Sequence, residues 1–399
     1  MNAVMYGAGN IGRGFIAQLF SLSGYRTTFV DVVDSVVNEL NTKNEYPVFI
    51  TKDGEYEKTW VKNVNCVNGN DLFAVANAVC NADIMATAVG VNILKFIAKP
   101  LSEGVKARKK AGKGPLDIIV CENKIDANIY LRGLISEYLN DEEKEYLDAN
   151  FGFVEASIGR MVPATPSEIK EQYPLAVCVE PFCTLPVDKD GFKGNIPDIV
   201  NLLPYSPFEL YIERKLYMHN MSHAVCAYIG NLLGYEYIWQ AANDSRIRYI
   251  ALAALTESAE ALSVHHKADI GPLIAHSFDL LKRYDNKLLA DTVARVGKDT
   301  VRKLSPLDRI PGSIKRCIEC TIPYYYICAG LAAALRFAPE GDEPSKELCE
   351  FTRSCGVRAA LKKYSDLTDE NAVSLCEKMY NLFEGDIDGA LDAIIKEKL

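Results

Sequence analysis

Short apolar, β-branched runs recur through the first 150 residues, at 3–6, 27–32, 83–89 and 116–121. Runs of this length without polar alternation read as strands buried on both faces. Between them lie segments with an apolar period of 3.6, such as 35–44 and 71–81, so the pattern predicts strand-helix alternation in an open parallel sheet. Two more runs, 48–52 and 57–67, read as short strands, an antiparallel hairpin turning at Asp53-Gly54, whose place in the sheet the pattern does not assign. The basic, glycine-punctuated stretch 106–114 reads as a surface loop.

Past residue 150 the pattern changes twice. Residues 151–204 mix extended segments with prolines and read as a connecting region. From 205 onward long helical periods dominate, at 207–233, 244–264, 268–283, 313–337, 343–364 and 368–397, with few strand signals among them. The chain of 399 residues is long enough for two cores, and the expected division is 1–204 and 205–399.

The turn after the first strand gives the first domain a task. Gly7-Ala8-Gly9-Asn10-Ile11-Gly12 stands between a predicted strand and a predicted helix, and Asp31 follows at the end of the second strand. In such a turn the first glycine permits the bend, the second removes the Cβ that would block a pyrophosphate, and the third lets helix and strand pack closely. The helix N-terminus offers free N–H groups and partial positive charge to the phosphates. Asp31 can accept hydrogen bonds from both ribose hydroxyls and would repel a 2′-phosphate, so NAD is expected rather than NADP. The first domain therefore reads as an NAD-binding Rossmann-type α/β doubly wound unit, followed by a mainly α-helical domain.

Composition narrows the partners. The chain is 49% apolar and 24% charged, with 44 basic against 53 acidic residues and a net charge of −9. No basic run suits nucleic acid, and no apolar tract reaches the ~20 residues of a membrane span. The N-terminus enters the first strand directly, without a basic leader, so a cytoplasmic protein is expected. The twelve cysteines sit in apolar stretches and read as reduced core thiols. Cys317 and Cys320 form the closest pair, but no second pair stands at ligand spacing, so helix packing is the expectation and no metal is expected.

Chemistry concentrates on the helix expected to open at Ser206-Pro207-Phe208-Glu209, read as an N-cap, a first-turn proline and a capping-box acid. Along it stand Lys215, Asn220 and His223. At about 100° per residue they fall at 0°, about 140° and about 80°, within one broad face. A lysine whose pKa burial brings down toward neutrality can remove a hydroxyl proton, an amide can donate to the developing alkoxide, and an imidazole can orient the substrate or the lysine. His219 on the same helix, His265-His266 at a helix end and Tyr324-Tyr325-Tyr326 read as packing or solvent-facing residues.

Lys215-Leu-Tyr-Met-His-Asn220-Met-Ser-His223 resembles the K-x4-N-x2-H signature of the polyol-specific long-chain dehydrogenases, the mannitol dehydrogenase family. The Gly7 to Phe15 turn with Phe29-Val-Asp31 resembles the same family, as do Arg283-Tyr-Asp-Asn, Asp291-Thr-Val-Ala-Arg295-Val-Gly and Arg302-Lys303-Leu-Ser-Pro-Leu-Asp308-Arg309. The motifs keep the family's order across nearly the whole chain. The resemblance implies Lys215 as general base, Asn220 and Asn123 as oxyanion donors, His223 as the group that positions substrate, and Arg295 and Lys303 as contacts to substrate oxygens. It implies metal-free, NAD-dependent exchange between a sugar alcohol and a ketose, first among them mannitol 1-phosphate and fructose 6-phosphate, by a monomer or homodimer.

One departure bears on the substrate. In Ser157-Ile-Gly159-Arg160-Met-Val-Pro163 a glycine stands where family members commonly have aspartate. Arg160, Arg295, Arg302, Lys303 and Arg309 can hold a phosphate or a carboxylate equally, since both accept bidentate guanidinium bonds. A hexuronate (tagaturonate or fructuronate) reductase and a dehydrogenase of neutral polyols therefore stay open. So does an NAD-binding regulatory protein without turnover.

Overall fold

The computed structural model describes residues 1–52 and 54–397. The chain separates into two compact units, Met1–Ile212 and Glu213–Leu399.

The first unit is built on six parallel strands, β1 (Asn2–Tyr6), β2 (Arg26–Asp31), β5 (Val64–Asn68), β6 (Ile84–Thr87), β7 (Leu116–Val120) and β8 (Phe151–Glu155), in the order β5-β2-β1-β6-β7-β8. Set aside the inserted hairpin of β3 (Glu45–Lys52) and β4 (Glu55–Lys62), and this is the 3-2-1-4-5-6 order of a doubly wound dinucleotide fold. All residues of β6 and β7 are buried, as both faces of a helix-covered parallel sheet require. Phe15, Leu19 and Phe29 pack in one apolar layer, and Val75, Leu101 and Leu131 in the other.

The 57–67 run splits in two. β4 ends at Lys62 and pairs antiparallel with β3, whereas β5 joins the main sheet beside β2. Asn63, at φ 56, lies at the break between them. Of the expected turn, Asp53 lies outside the described residues. β3 also pairs with β9 (Val177–Val179), and β10 (Leu185–Asp188) pairs with β11 (Leu202–Tyr205), so the proline-rich region carries real sheet.

The 106–114 stretch is not a loop. The helix Leu94–Lys110 runs through most of it and ends on Arg108, Lys109 and Lys110, cations that suit a helix C-terminus. Arg108 is buried and donates to the carbonyls of Val79, Cys80, Ala82, Gly114 and Pro115.

The first unit runs past residue 204. Tyr205 stacks on Tyr211 at 3.7 Å, Phe208 is buried, and the Ser157 hydroxyl donates to the Tyr211 carbonyl. Ser206 does not cap the next helix: its hydroxyl meets Asp190 at 2.5 Å, the Ser206-Pro207 bond is cis, and the helix starts at Glu209.

Among the described residues, every named element of the second unit is a helix. Met221–Leu232 packs on Ser245–His266, Val293–Gly297 and Tyr325–Ala334. The last contact is close because Gly330 has no side chain; a Cβ there would lie 2.4 Å from Val225. The long periods at 313–337, 343–364 and 368–397 are each broken once, at Thr321, Gly356 and after Leu382. No helix of the described residues is long and apolar enough to cross a membrane.

Candidate active site

The turn between β1 and its helix has the shape a pyrophosphate needs. Gly7 takes φ +99, and a Cβ there would lie 2.5 Å from the Ala88 carbonyl oxygen. At Gly12 a Cβ would lie 2.0 Å from the Gly7 oxygen, so only glycine fits. A Cβ on Gly9 would meet nothing within 4 Å, which leaves open space above the turn. The helix that follows starts with a π-helical segment, Gly12–Ile16, with no side-chain cap competing for its amides. Ala8, Asn10 and Ile11 supply the rest of the turn, and the residues present fit a dinucleotide.

Asp31 lies at the carboxyl end of β2 with its carboxylate turned back to this turn. It accepts from the Ala8 N–H at 2.7 Å and from the Val33 N–H at 3.0 Å. Across the switch point, the buried carboxylate of Glu122 accepts from Val89 and Gly90 at 2.9 and 2.8 Å and ties the end of β7 to the loop after β6. Asn123 follows it, exposed, at the same edge of the sheet. Arg160 is buried and donates to Gly14, Gln18 and the Glu180 carbonyl. Its guanidinium thus braces the 157–163 segment against the first helix. A Cβ on Gly159 would make ordinary contact with Phe182, so the backbone does not demand glycine there.

In the second unit the helix is not α-helical where the chemistry sits. Residues Arg214–Asn220 form a π-helical segment, flanked by α-helix at Glu209–Glu213 and Met221–Leu232. With hydrogen bonds from i to i+5 the turn is wider, so Lys215 and Asn220 stand closer in angle than an α-helix would put them. Lys215 is half-buried. Burial, with the nearby Arg309 and Arg302 only partly offset by Asp308, brings its pKa down to about 8. His219 is buried, and burial together with Arg283 and His223 holds it well below the usual histidine range.

His223 is fixed on two sides. Its ring stacks on Tyr284 at 4.8 Å and 9°, and its Nε2 lies 3.4 Å from Asp291 Oδ2. The other oxygen of Asp291 takes Arg295, with Nε at 2.7 Å and a terminal nitrogen at 2.5 Å. Burial raises the Asp291 pKa, but its pairing with His223 and Arg295 outweighs it, leaving the carboxyl below its ordinary value. Lys303 is buried and donates to the Val296 carbonyl. Burial, Arg309 and Arg302 lower it to about 7, against Asp299 and Asp308. Arg302 pairs with Asp299 and Asp308, and Arg309 with Asp308 at 2.7 Å.

The second unit thus brings together Lys215, Asn220, His223, Arg295 and Lys303, while Arg160, Asn123 and the glycine turn belong to the first. Asp291 and Glu122 were not singled out by spacing alone. An acid four residues before Arg295 was the visible sign of the first; a lone acid after a strand gives none for the second.

Glu213, His265 and His266 could by position ligate a metal. Arg316 fills that place instead, 2.5 Å from Glu213 and 3.1 Å from His265 Nδ1, and its positive charge disfavours a cation there. All twelve cysteines are free, with the Cys317 and Cys320 thiols against the Glu257 and Ala261 carbonyls.

Comparison with known proteins identifies the family. Residues 1–201 match the mannitol dehydrogenase Rossmann domain, and residues 208–394 the mannitol dehydrogenase C-terminal domain. The two matches define a dehydrogenase with a Rossmann half and a helical half, NAD-dependent and acting on polyols as a class. Within that class the chain belongs to the mannitol dehydrogenase family. Among its relatives are mannitol-1-phosphate 5-dehydrogenases of Clostridium acetobutylicum, 37% identical over 92% of this chain and 95% of that one, and of Caldanaerobacter subterraneus subsp. tengcongensis, 36% identical over 96% and 99%. A substrate-free D-sorbitol dehydrogenase structure shares the fold at TM-score 0.81 and 17% identity, covering 98% of this chain and 94% of that one. The Pseudomonas fluorescens mannitol 2-dehydrogenase complex with NAD and D-mannitol does so at 0.79 and 16%, covering 100% and 94%.

Proposed function

We propose that this chain interconverts mannitol 1-phosphate and fructose 6-phosphate with NAD, in the cytoplasm, as a monomer or homodimer, and that Lys215 is the general base. The observation that carries the proposal is the π-helical segment that holds Lys215, at a pKa of about 8, and Asn220. The 37% and 36% identical relatives named for mannitol 1-phosphate support this choice of substrate.

In oxidation, the neutral Lys215 amine takes the proton of the reacting hydroxyl as the carbon gives up its hydride. NAD, when bound, would supply the hydride acceptor, so the balance is ketone, NADH and the protonated lysine. Asn220 donates to the developing alkoxide, which stabilises charge that exists only near the transition state, and Asn123 is the second donor that the family resemblance implies. His223 and Arg295 hold further substrate oxygens. Gly7, Ala8, Gly9, Asn10, Ile11 and Gly12 would carry the pyrophosphate on backbone amides, and Asp31 would take the ribose hydroxyls.

The phosphate reading rests on a charge surplus. Arg302, Lys303 and Arg309 face two acids, Asp299 and Asp308, and the excess positive field is what depresses both Lys303 and Lys215 beyond the effect of burial. A phosphate dianion relieves that field. Arg160 supports the 157–163 segment rather than reaching substrate. The test is NADH oxidation with fructose 6-phosphate, fructose, tagaturonate and fructuronate. Turnover fastest with fructose 6-phosphate is expected; preference for a ketouronate would replace the substrate, and no turnover on any would remove the enzyme reading.

A further inference from the structure

The carboxylate of Asp291 divides its two oxygens between two residues given substrate roles above. Oδ2 faces His223 Nε2, and Oδ1 takes Arg295 through two of its nitrogens. Asp291 itself is buried at 6% exposure, so it is shielded from bulk water, whereas the Arg295 side chain is 58% exposed.

The segment that carries Asp291 is held from several directions. Its carbonyl accepts from Ile238, Val293 N–H donates to Glu236, and Tyr237 and Thr292 form a β-bridge. Thr292 caps the helix Val293–Gly297, and Gly297 sits against Phe337, where a Cβ would lie 2.4 Å from the ring. The Tyr228 hydroxyl closes the far end on the Gly297 carbonyl. The imidazole has equally little freedom, with Tyr284 stacked on its face and the Tyr284 hydroxyl anchored on the His219 carbonyl at 3.0 Å and the Ser222 hydroxyl at 2.9 Å.

We propose that Asp291 is a positioning residue that holds His223 as the tautomer protonated on Nε2, leaving the Nδ1 lone pair to accept a substrate hydroxyl, and that the same carboxylate sets Arg295 against that substrate. A carboxylate can only accept, so Asp291 Oδ2, 3.4 Å away, favours the proton on the nitrogen that faces it. The unprotonated Nδ1 is then an acceptor of fixed direction, which suits a polyol whose hydroxyls donate. Because one buried anion orients both groups, loss of the carboxylate releases both contacts at once, whereas each partner is held by its own oxygen. This rests on the reading of His223 and Arg295 as substrate contacts, but the tautomer can be read without substrate.

The chain has five histidines, so selective ¹⁵N-histidine labelling gives a short set of imidazole signals, and His223→Gln identifies the one in question. At neutral pH that signal is expected to show a protonated Nε2 and a bare Nδ1. A protonated Nδ1, or a doubly protonated ring, overturns the assignment in the wild-type protein alone. In Asp291→Asn the signal is expected to become a mixture of tautomers, with kcat down tenfold or more and the NADH dissociation constant within twofold of wild type. Added to His223→Gln, Asp291→Asn is expected to lower kcat less than threefold further. Full multiplication of the two effects, or an unchanged tautomer in Asp291→Asn, overturns the proposal. Arg295→Gln leaves the carboxylate in place and covers the case in which Asp291→Asn does not fold. In that variant the tautomer is expected to persist while KM rises, and its loss counts against the proposal. Failure of every polyol as substrate sinks the proposed function and leaves the tautomer result standing.

Discussion

Asp31 Oδ2 accepts a hydrogen bond from the Ala8 N–H at 2.7 Å, so the acid that ends the second strand reaches back onto the glycine turn. The same carboxylate, through Oδ1, holds Val33 N–H at 3.0 Å. The group proposed for the ribose is thus already held beside the glycine turn. Charge-assisted hydrogen bonds contribute about 1.5–3 kcal/mol each, or roughly 10–100-fold in affinity. Asp31→Ser is therefore expected to weaken NADH binding by about tenfold or more and to narrow the gap to NADPH, as read by fluorescence titration with both. Tighter NADPH than NADH binding by the unaltered protein would refute this role of Asp31.

The two depressed lysines separate by function. Lys215 at about 8 must be neutral to take a proton, so oxidation is expected to rise with pH to a midpoint near 8 and then level. Ketone reduction needs the protonated amine and is expected to fall through the same midpoint as pH rises. Lys215→Ala should lower kcat by about 10²–10⁴-fold and remove that limb from the profile. The retention of the limb in Lys215→Ala would pass the base role to another group. Lys303, at about 7 and bonded to Val296, is expected to keep the limb when replaced.

How much of this was visible beforehand differs from element to element. The glycine turn and Asp31 were legible because their geometry depends on backbone and spacing within one strand-turn-helix unit. Lys215, Asn220 and His223 were legible as a group, but a 3.6-residue period placed Lys215 and Asn220 about 140° apart. The π-helical segment that brings them closer in angle leaves no mark in the apolar period. The separation of β4 from β5 depends on pairing with β2, a long-range event that local pattern does not carry. Arg108 read as loop charge because its partners, carbonyls from 79 to 115, come together only in the fold. Asp291 was within a noticed motif, yet its bond to His223 joins residues 68 positions apart.

Lys303 offers the test of the anion. It sits under the fields of Arg302 and Arg309, and an added dianion would restore its charge. Lys303→Ala is expected to raise KM for fructose 6-phosphate by about tenfold, in line with about 1–2 kcal/mol for one desolvated charged contact, and to change KM for fructose by less than about twofold. Equal rises for both substrates would mean that Lys303 meets no phosphate. The double ratio of KM values decides between the outcomes without reference to kcat.

Arg108 tests stability apart from activity. Its guanidinium satisfies the carbonyls of Val79, Cys80, Ala82, Gly114 and Pro115, at the end of the helix Leu94–Lys110 and just before β7. Arg108→Met keeps much of the aliphatic stem but leaves buried acceptors without a donor, and each such group costs about 1–3 kcal/mol where water cannot enter. A loss of about 3 kcal/mol in urea unfolding is expected, since some of the five carbonyls can reach solvent once the side chain is gone. The strands that lead to Gly7, Asp31 and Asn123 end at the opposite, carboxyl edge of the sheet, so the KM for NADH at low temperature is expected to stay within about twofold of the parent. A variant as stable as the parent would show that water replaces the guanidinium fully, and a raised KM would show that this helix end is coupled to the cofactor turn.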